Sequence, residues 1–162
     1  MIIRGEDGVT HINVYSKAKT DIGMWLSNFA YSPVELPDHG HFDSLEGYWY
    51  WLHCGDDRLR TLSGFAAKQV GREVMLSINN PPDDFEDRFK VALDIKLKTY
   101  LDRAKEICEI NLPMCHYYEY EGKRKDAGYE WIIEHLEMRR EMLREYFKGQ
   151  EPPEEQQMSL DL

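Results

Sequence analysis

Ser44-Leu45-Glu46-Gly47-Tyr48-Trp49-Tyr50-Trp51 sets one carboxylate just ahead of four consecutive rings. Ser44 can cap a helix running through Tyr48, Trp51 and Leu52, with Glu46 in its first turn. A carboxylate there complements the positive end of the helix dipole, and the same field lowers its pKa and keeps it ionised. That role is structural. The chemical role uses the same charge: rings around the carboxylate exclude water and strengthen its action on a positive charge developing nearby. The residues alone leave both open.

Working outward, Val34 to Phe42 reads as a short hairpin, with Pro37, Asp38 and Gly40 in its turn. Ahead of it, Val9 to Tyr15 alternates apolar and polar residues as a half-buried strand does, and Ser16 to Gly23 is a polar loop. Past the central stretch, Ser63 can start a second, shorter helix carrying Phe65, Ala66, Ala67 and Val70. Asn79-Asn80-Pro81-Pro82 breaks the pattern. Phe85, Phe89, Leu93, Leu97, Tyr100 and Ala104 then recur at three- and four-residue intervals, predicting one amphipathic helix. Leu112 to Tyr120 suits a strand and Glu121 to Asp126 an exposed charged loop. A long closing helix places Tyr129, Ile132, Ile133, Leu136, Leu143 and Phe147 on one stripe. Beyond Gly149 a Pro/Glu-rich stretch has nothing to bury.

Two more segments carry candidate chemistry. In Trp25-Leu26-Ser27-Asn28-Phe29 the rings either pack inward or wall a pocket, stacking on a flat base while Asn28 fixes its orientation. In Gly64 to Glu73, small residues permit close helix packing. Lys68 and Arg72 share a face at i, i+4, where they are either solvated or hold a phosphate or pyrophosphate. His39-x-His41 could aim two rings at a metal, but no third ligand is evident.

The 162 residues fit one domain, and 42% hydrophobic content is enough for a core without disulfide or metal. Cys54, Cys108 and Cys115 form no C-x-x-C pair, which argues against a disulfide framework or a thiolate zinc cage. No apolar run approaches the ~20 residues of a membrane span. The start turns charged too soon for a secretory signal, so a cytoplasmic protein is expected. A net charge of -10 disfavours non-specific nucleic-acid binding.

Taken together and in order, Trp25 to Phe29, Ser44 to Tyr48 and Gly64 to Glu73 resemble the NADAR (YbiA-like) family of N-glycosidases. They stand where that family has a G-x-x-x-N-F-like segment, a [ST]-x-E-H-Y element and an A-x-x-x-G-R-x element. The resemblance covers about residues 10 to 148. It implies a compact, mainly helical α+β domain with a small antiparallel sheet over residues 1–149, and an acidic tail over 150–162. The implied activity is hydrolysis of ribosyl C–N bonds, without cofactor or metal. The substrate classes are ADP-ribose on guanine in nucleic acid and phosphorylated riboflavin-pathway intermediates; a non-catalytic ADP-ribose or NAD binder is the alternative.

By that resemblance Glu46 is the catalytic glutamate, Asn28 and Phe29 the pocket pair, and Gly71-Arg72 the Gly-Arg step. Phe85 falls near a functional Trp. Trp25, Tyr48, Lys68 and Tyr118 join the expected substrate contacts, with His53, Asp126 or Tyr118 as proton donor. The pattern departs at Gly47, where the family has His, and at Tyr50 and His53, where it has Gln and Lys. A late W-G-x-G stretch has no clean counterpart; His116 to Tyr120 stands near its place. The tail ending Gln157-Met158-Ser159-Leu160-Asp161-Leu162 resembles the peptide by which bacterial replication proteins dock on the sliding clamp. Gln157, Leu160 and Leu162 are its anchors. Docking would hold an acidic enzyme near DNA, where reversal of a toxin's ADP-ribosylation is the expected task.

Overall fold

Ser44 starts the expected helix: its Oγ accepts from the Gly47 N–H at 3.0 Å and donates to the Leu62 carbonyl at 2.9 Å. In the computed structural model, which describes residues 4–150, this helix, α2 (Leu45–Cys54), lies between two packed layers. Leu45, Tyr48 and Leu52 turn into the main core with Phe42, Phe89 and Leu93, whereas Tyr50 turns onto Leu59 and Ala67. Each Leu or Phe so buried contributes roughly 1.5–3 kcal/mol by leaving water.

On the Tyr50 side, α3 (Gly64–Met75) packs so closely that a Cβ at Gly71 would stand 2.2 Å from Tyr50 Cγ. A 3-10 turn, Asp57–Thr61, covers Gly47, whose Cβ would stand 2.3 Å from the Leu59 carbonyl oxygen. At 12 residues α3 outruns the 10 of α2. The shorter helix expected from its apolar residues is thus corrected: the helix continues past Val70 through the exposed Arg72 and Glu73.

The single amphipathic helix predicted from Phe85 is instead two, α4 (Phe85–Thr99) and α5 (Leu101–Cys108). Tyr100 breaks it. Its hydroxyl donates to the Pro33 carbonyl at 2.8 Å and its ring meets Trp25 edge-on, which pulls the backbone out of helical geometry. The last helix, α6 (Glu130–Gly149), buries Ile132, Ile133 and Leu136, with Leu143 and Phe147 half-buried. Tyr129 stands just ahead of it with φ 55°, so its ring leaves the expected stripe.

Near the N-terminal end, α1 (Asp21–Leu26) occupies part of the predicted polar loop, capped by Thr20. Among the described residues the strands pair in three couples. β2 (Val34–Leu36) and β3 (Gly40–Phe42) form the expected antiparallel hairpin. β5 (Tyr117–Tyr120), inside the predicted strand Leu112 to Tyr120, pairs with β6 (Lys123–Asp126), which replaces the predicted exposed loop, in a second one. Glu121 and Gly122, both at positive φ, make the two-residue turn that hairpins of this kind require. The third couple, β1 (Ile12–Asn13) with β4 (Met114–Cys115), is parallel. β1 is shorter than the predicted strand because Val9 and Thr10 fold back onto the Glu6 carbonyl.

Helices dominate this α+β fold, and two of the strand pairs add Ile12, Met114, Val34, Leu36 and Phe42 to its core. No helix among the described residues is long and apolar enough to cross a membrane. The clamp-like anchors Gln157, Leu160 and Leu162 lie outside the described residues.

Candidate active site

Three loops and three helices enclose a cavity of about 360 Å³, and Glu46 is in its wall. The floor is built from backbone. The Asn28 carbonyl accepts from the Glu46 N–H at 2.9 Å, and the Phe29 carbonyl accepts from the Gly64 N–H at 3.1 Å. Adjacent carbonyls of one turn thus satisfy N–H groups that the first turns of α2 and α3 would otherwise leave unpaired. The three motifs singled out in the sequence meet at this point.

Helical spacing does the rest on α2. Glu46, Trp49 and Tyr50, three and four residues apart, share the face that lines the cavity. Burial pushes the Glu46 carboxyl up to about 7, while Lys68 and Arg72 of α3 act in the opposite direction. This corrects the expectation that the helix dipole keeps Glu46 fully ionised: desolvation outweighs the field of one helix end. Burial raises the pKa of the Tyr50 hydroxyl, and Arg72 beside it acts in the opposite direction. Lys68 Nζ stands 5.8 Å from the centre of the Phe29 ring.

Rings form the remaining wall. Tyr15 meets Tyr118 edge-on at 5.8 Å, His116 meets Tyr118 at 5.6 Å, and Tyr129 meets Trp49 at 5.0 Å. Phe65 lies at the mouth, 69% exposed, and Ile132 and Ile133 of α6 add an apolar side. Burial lowers the pKa of His116, leaving a neutral imidazole at physiological pH, and raises that of Tyr118. The site can therefore stack a flat group, meet anionic groups with the cations Lys17, Lys68 and Arg72, and present one carboxyl poised between its charged and neutral forms.

Glu46, Asn28, Phe29, Lys68, Arg72 and Tyr118 are brought together here. Trp25 is not: it is buried in the core against Tyr100 and beneath Lys96. Tyr48 faces away, since two residues along a helix rotate a side chain by about 200°. Its hydroxyl lies 2.8 Å from His39 Nδ1 and its ring packs on Phe42. Phe85 packs on Trp49 and His53 in a neighbouring depression that shares Trp49, Tyr50, Arg72 and Tyr129 with the cavity. His53 is held there by Asn79 at 3.0 Å. Asp126 accepts from the Gly128 N–H at 2.9 Å at the base of the second hairpin, outside the lining. Of the three proton-donor candidates, Tyr118 is the one at the cavity. His39 receives Arg88, whereas His41 lies between Glu35 and Asp43, so the pair shares no centre.

Trp49 and Tyr50 were not among the expected contacts, although their spacing of three and four residues from Glu46 is a signal that would have found them. No such signal marks Tyr15, Ser16, Lys17 and His116, because the parallel pairing of β1 with β4 brings them in from opposite ends of the chain. The departures from the family pattern also find places. Gly47 abuts the Leu59 carbonyl, away from the cavity, so the missing His removes nothing from the lining. Tyr50, in the Gln position, is in the wall itself.

A small helical α+β domain with an acid in a ring-lined, cation-flanked cavity is the class these features define. No family model matches the chain, and no curated protein matches it. Among solved structures it is similar to the NMR structure of the E. coli protein YbiA, with a TM-score of 0.62 and 19% identity over 89% of this chain and 93% of that one. The chain has the YbiA fold.

Proposed function

We propose that the chain is a divergent NADAR-family N-glycosidase that removes ADP-ribose from a modified base, guanine in DNA, and so reverses a toxin's modification. One observation carries this: Glu46 lines the same ring-walled cavity as Asn28, Lys68 and Arg72. The YbiA fold supports the family assignment.

In this mechanism the bond from the ribosyl anomeric carbon to the base nitrogen breaks, and its electron pair leaves with the base. Positive charge grows on the anomeric carbon and ring oxygen, as in other glycoside hydrolyses. The Glu46 carboxylate stabilises that charge. Water adds its oxygen to the anomeric carbon and gives a proton to Glu46, whose pKa of about 7 suits a base at neutral pH. The leaving nitrogen gains a proton, with the Tyr118 hydroxyl as the donor at the cavity. Lys68 and Arg72 hold the pyrophosphate, and Phe65, Tyr118 and Tyr129 stack on the base.

The test is incubation with ADP-ribosylated guanine oligonucleotides and, separately, with phosphorylated riboflavin intermediates, comparing wild type with Glu46→Gln. Release of ADP-ribose that disappears in the variant is expected. Turnover of the riboflavin intermediates alone would redirect the substrate, and tight ADP-ribose binding without turnover would make the protein a reader. Action at DNA rests on the tail: a bacterial sliding clamp should be captured by the full chain and lost on removal of residues 157–162.

A further inference from the structure

The turn that supplies Asn28 and Phe29 to the cavity rests on a lysine. Lys96 of α4 is 2% exposed. Its Nζ donates to the Trp25 carbonyl at 2.6 Å and to the Ser27 carbonyl at 3.2 Å, and stands 4.5 Å from the centre of the Trp25 ring. Taking an amine out of water is costly, and a Leu or Met would fill core space without that cost. Both acceptors are backbone atoms of one turn, so what the amine contributes is the shape of that turn.

From Ser27 the ties continue without a gap. Ser27 Oγ accepts from the Phe29 N–H at 3.2 Å, the Asn28 carbonyl takes the Glu46 N–H, and the Phe29 carbonyl takes the Gly64 N–H. We propose that Lys96 is a positioning residue of the site. By holding the Trp25 and Ser27 carbonyls, it fixes the turn whose next two carbonyls seat the first turns of α2 and α3. It thereby sets where Glu46 stands relative to Lys68 and Arg72. Lys96 is not in the cavity lining and acts through backbone alone. Its effect on turnover rests on the glycosidase proposal above; its effect on geometry does not.

Burial pushes the Lys96 amine down to about 7, with Arg103 adding to the shift. A neutral amine still has two N–H donors for its two acceptors, so the clamp does not need the charge.

The first test is Lys96→Met, which keeps chain length and removes the donors. In the folded variant, amide hydrogen exchange should quicken at least about tenfold at Glu46 and Gly64, while mid-helix amides of α4 and α6 keep wild-type rates. With a substrate in hand, kcat should fall on the order of 10²-fold with KM little changed. Lys96→Gln, which keeps a shorter donor, should lie between the two in both readouts and carries the test if the Met variant does not fold. In the wild type, the Lys96 amine protons should exchange slowly enough to be seen by NMR. Unchanged exchange at Glu46 and Gly64, or acceleration spread evenly over all helices, overturns the proposal. So does a wild-type amine in fast exchange with water. Absence of any glycosidase activity in wild type would sink the function above and leave the exchange experiment to decide this one.

Discussion

Glu46 and Lys96 are opposite charges that burial moves to the same place on the pH scale. One rises and the other falls, each to about 7. Their surroundings differ in kind. Glu46 faces a cavity, with Lys68 and Arg72 on α3 and Tyr50 and Tyr118 nearby. Lys96 is closed in between α1 and α5, with Arg103 as its charged neighbour, itself paired to Asp21. Its donors are already spent on carbonyls. On the function proposed above, the difference separates a group that changes its charge during turnover from one whose hydrogen bonds outlast its charge.

The sharpest way to break that contrast is turnover. Glu46→Gln should lower kcat by about 10³-fold, the scale of removing a preorganised charge stabiliser. In wild type, kcat/KM should rise with pH through an acid limb near 7, because the carboxylate is the active form. A limb at the ordinary glutamate value would show that the cavity does not raise the Glu46 pKa, whereas a rate falling through 7 would make the protonated acid the active form.

Stability against pH comes next. Between pH 4.5 and about 7 the unfolded chain has released the Glu46 proton that the folded chain still holds, so stability falls as pH rises through that window. Glu46→Gln should remove this fall and be more stable than wild type at pH 8 by up to about 3 kcal/mol, with little difference at pH 4. For Lys96 the sign reverses. Between about 7 and 10.5 the unfolded chain holds the proton, so stability rises with pH, and Lys96→Met should flatten that limb. Urea unfolding at several pH values measures both.

Gly47→His would install the residue of the family that the sequence resembles, yet its Cβ would meet the Leu59 carbonyl, which is backbone and cannot swing away. A loss of about 2 kcal/mol or more with no gain in activity is expected from thermal melts and assays. The smallest effect is at the mouth. Phe65→Ala should raise KM by about tenfold with kcat and melting temperature unchanged, since its ring contributes stacking and little core.

What the sequence revealed tracks how local each cause is. The Ser44 cap, the first hairpin and the face shared by Lys68 and Arg72 depend on residues within a few positions, and all three were readable. The break at Tyr100 depends on the Pro33 carbonyl, 67 residues away, so a clean apolar period concealed it. Trp25 and Tyr48 were assigned to the pocket because they lie inside motifs; helix rotation and a lysine beneath the turn send them elsewhere. Glu46 was found by pattern, but its pKa could not be, because the burial that raises it is completed by walls, Tyr118, Tyr129 and Ile132 among them, that arrive from the far end.

That dependence has a consequence for synthesis. A ribosome emits Glu46 about 70 residues before Tyr118, and the β1–β4 pairing waits for Cys115. During those seconds of translation the nascent chain can form α2 and its cap, yet the acid remains wet and ordinary. It becomes a poised group only when the last wall is added, so a truncated product carries the residue without its raised pKa.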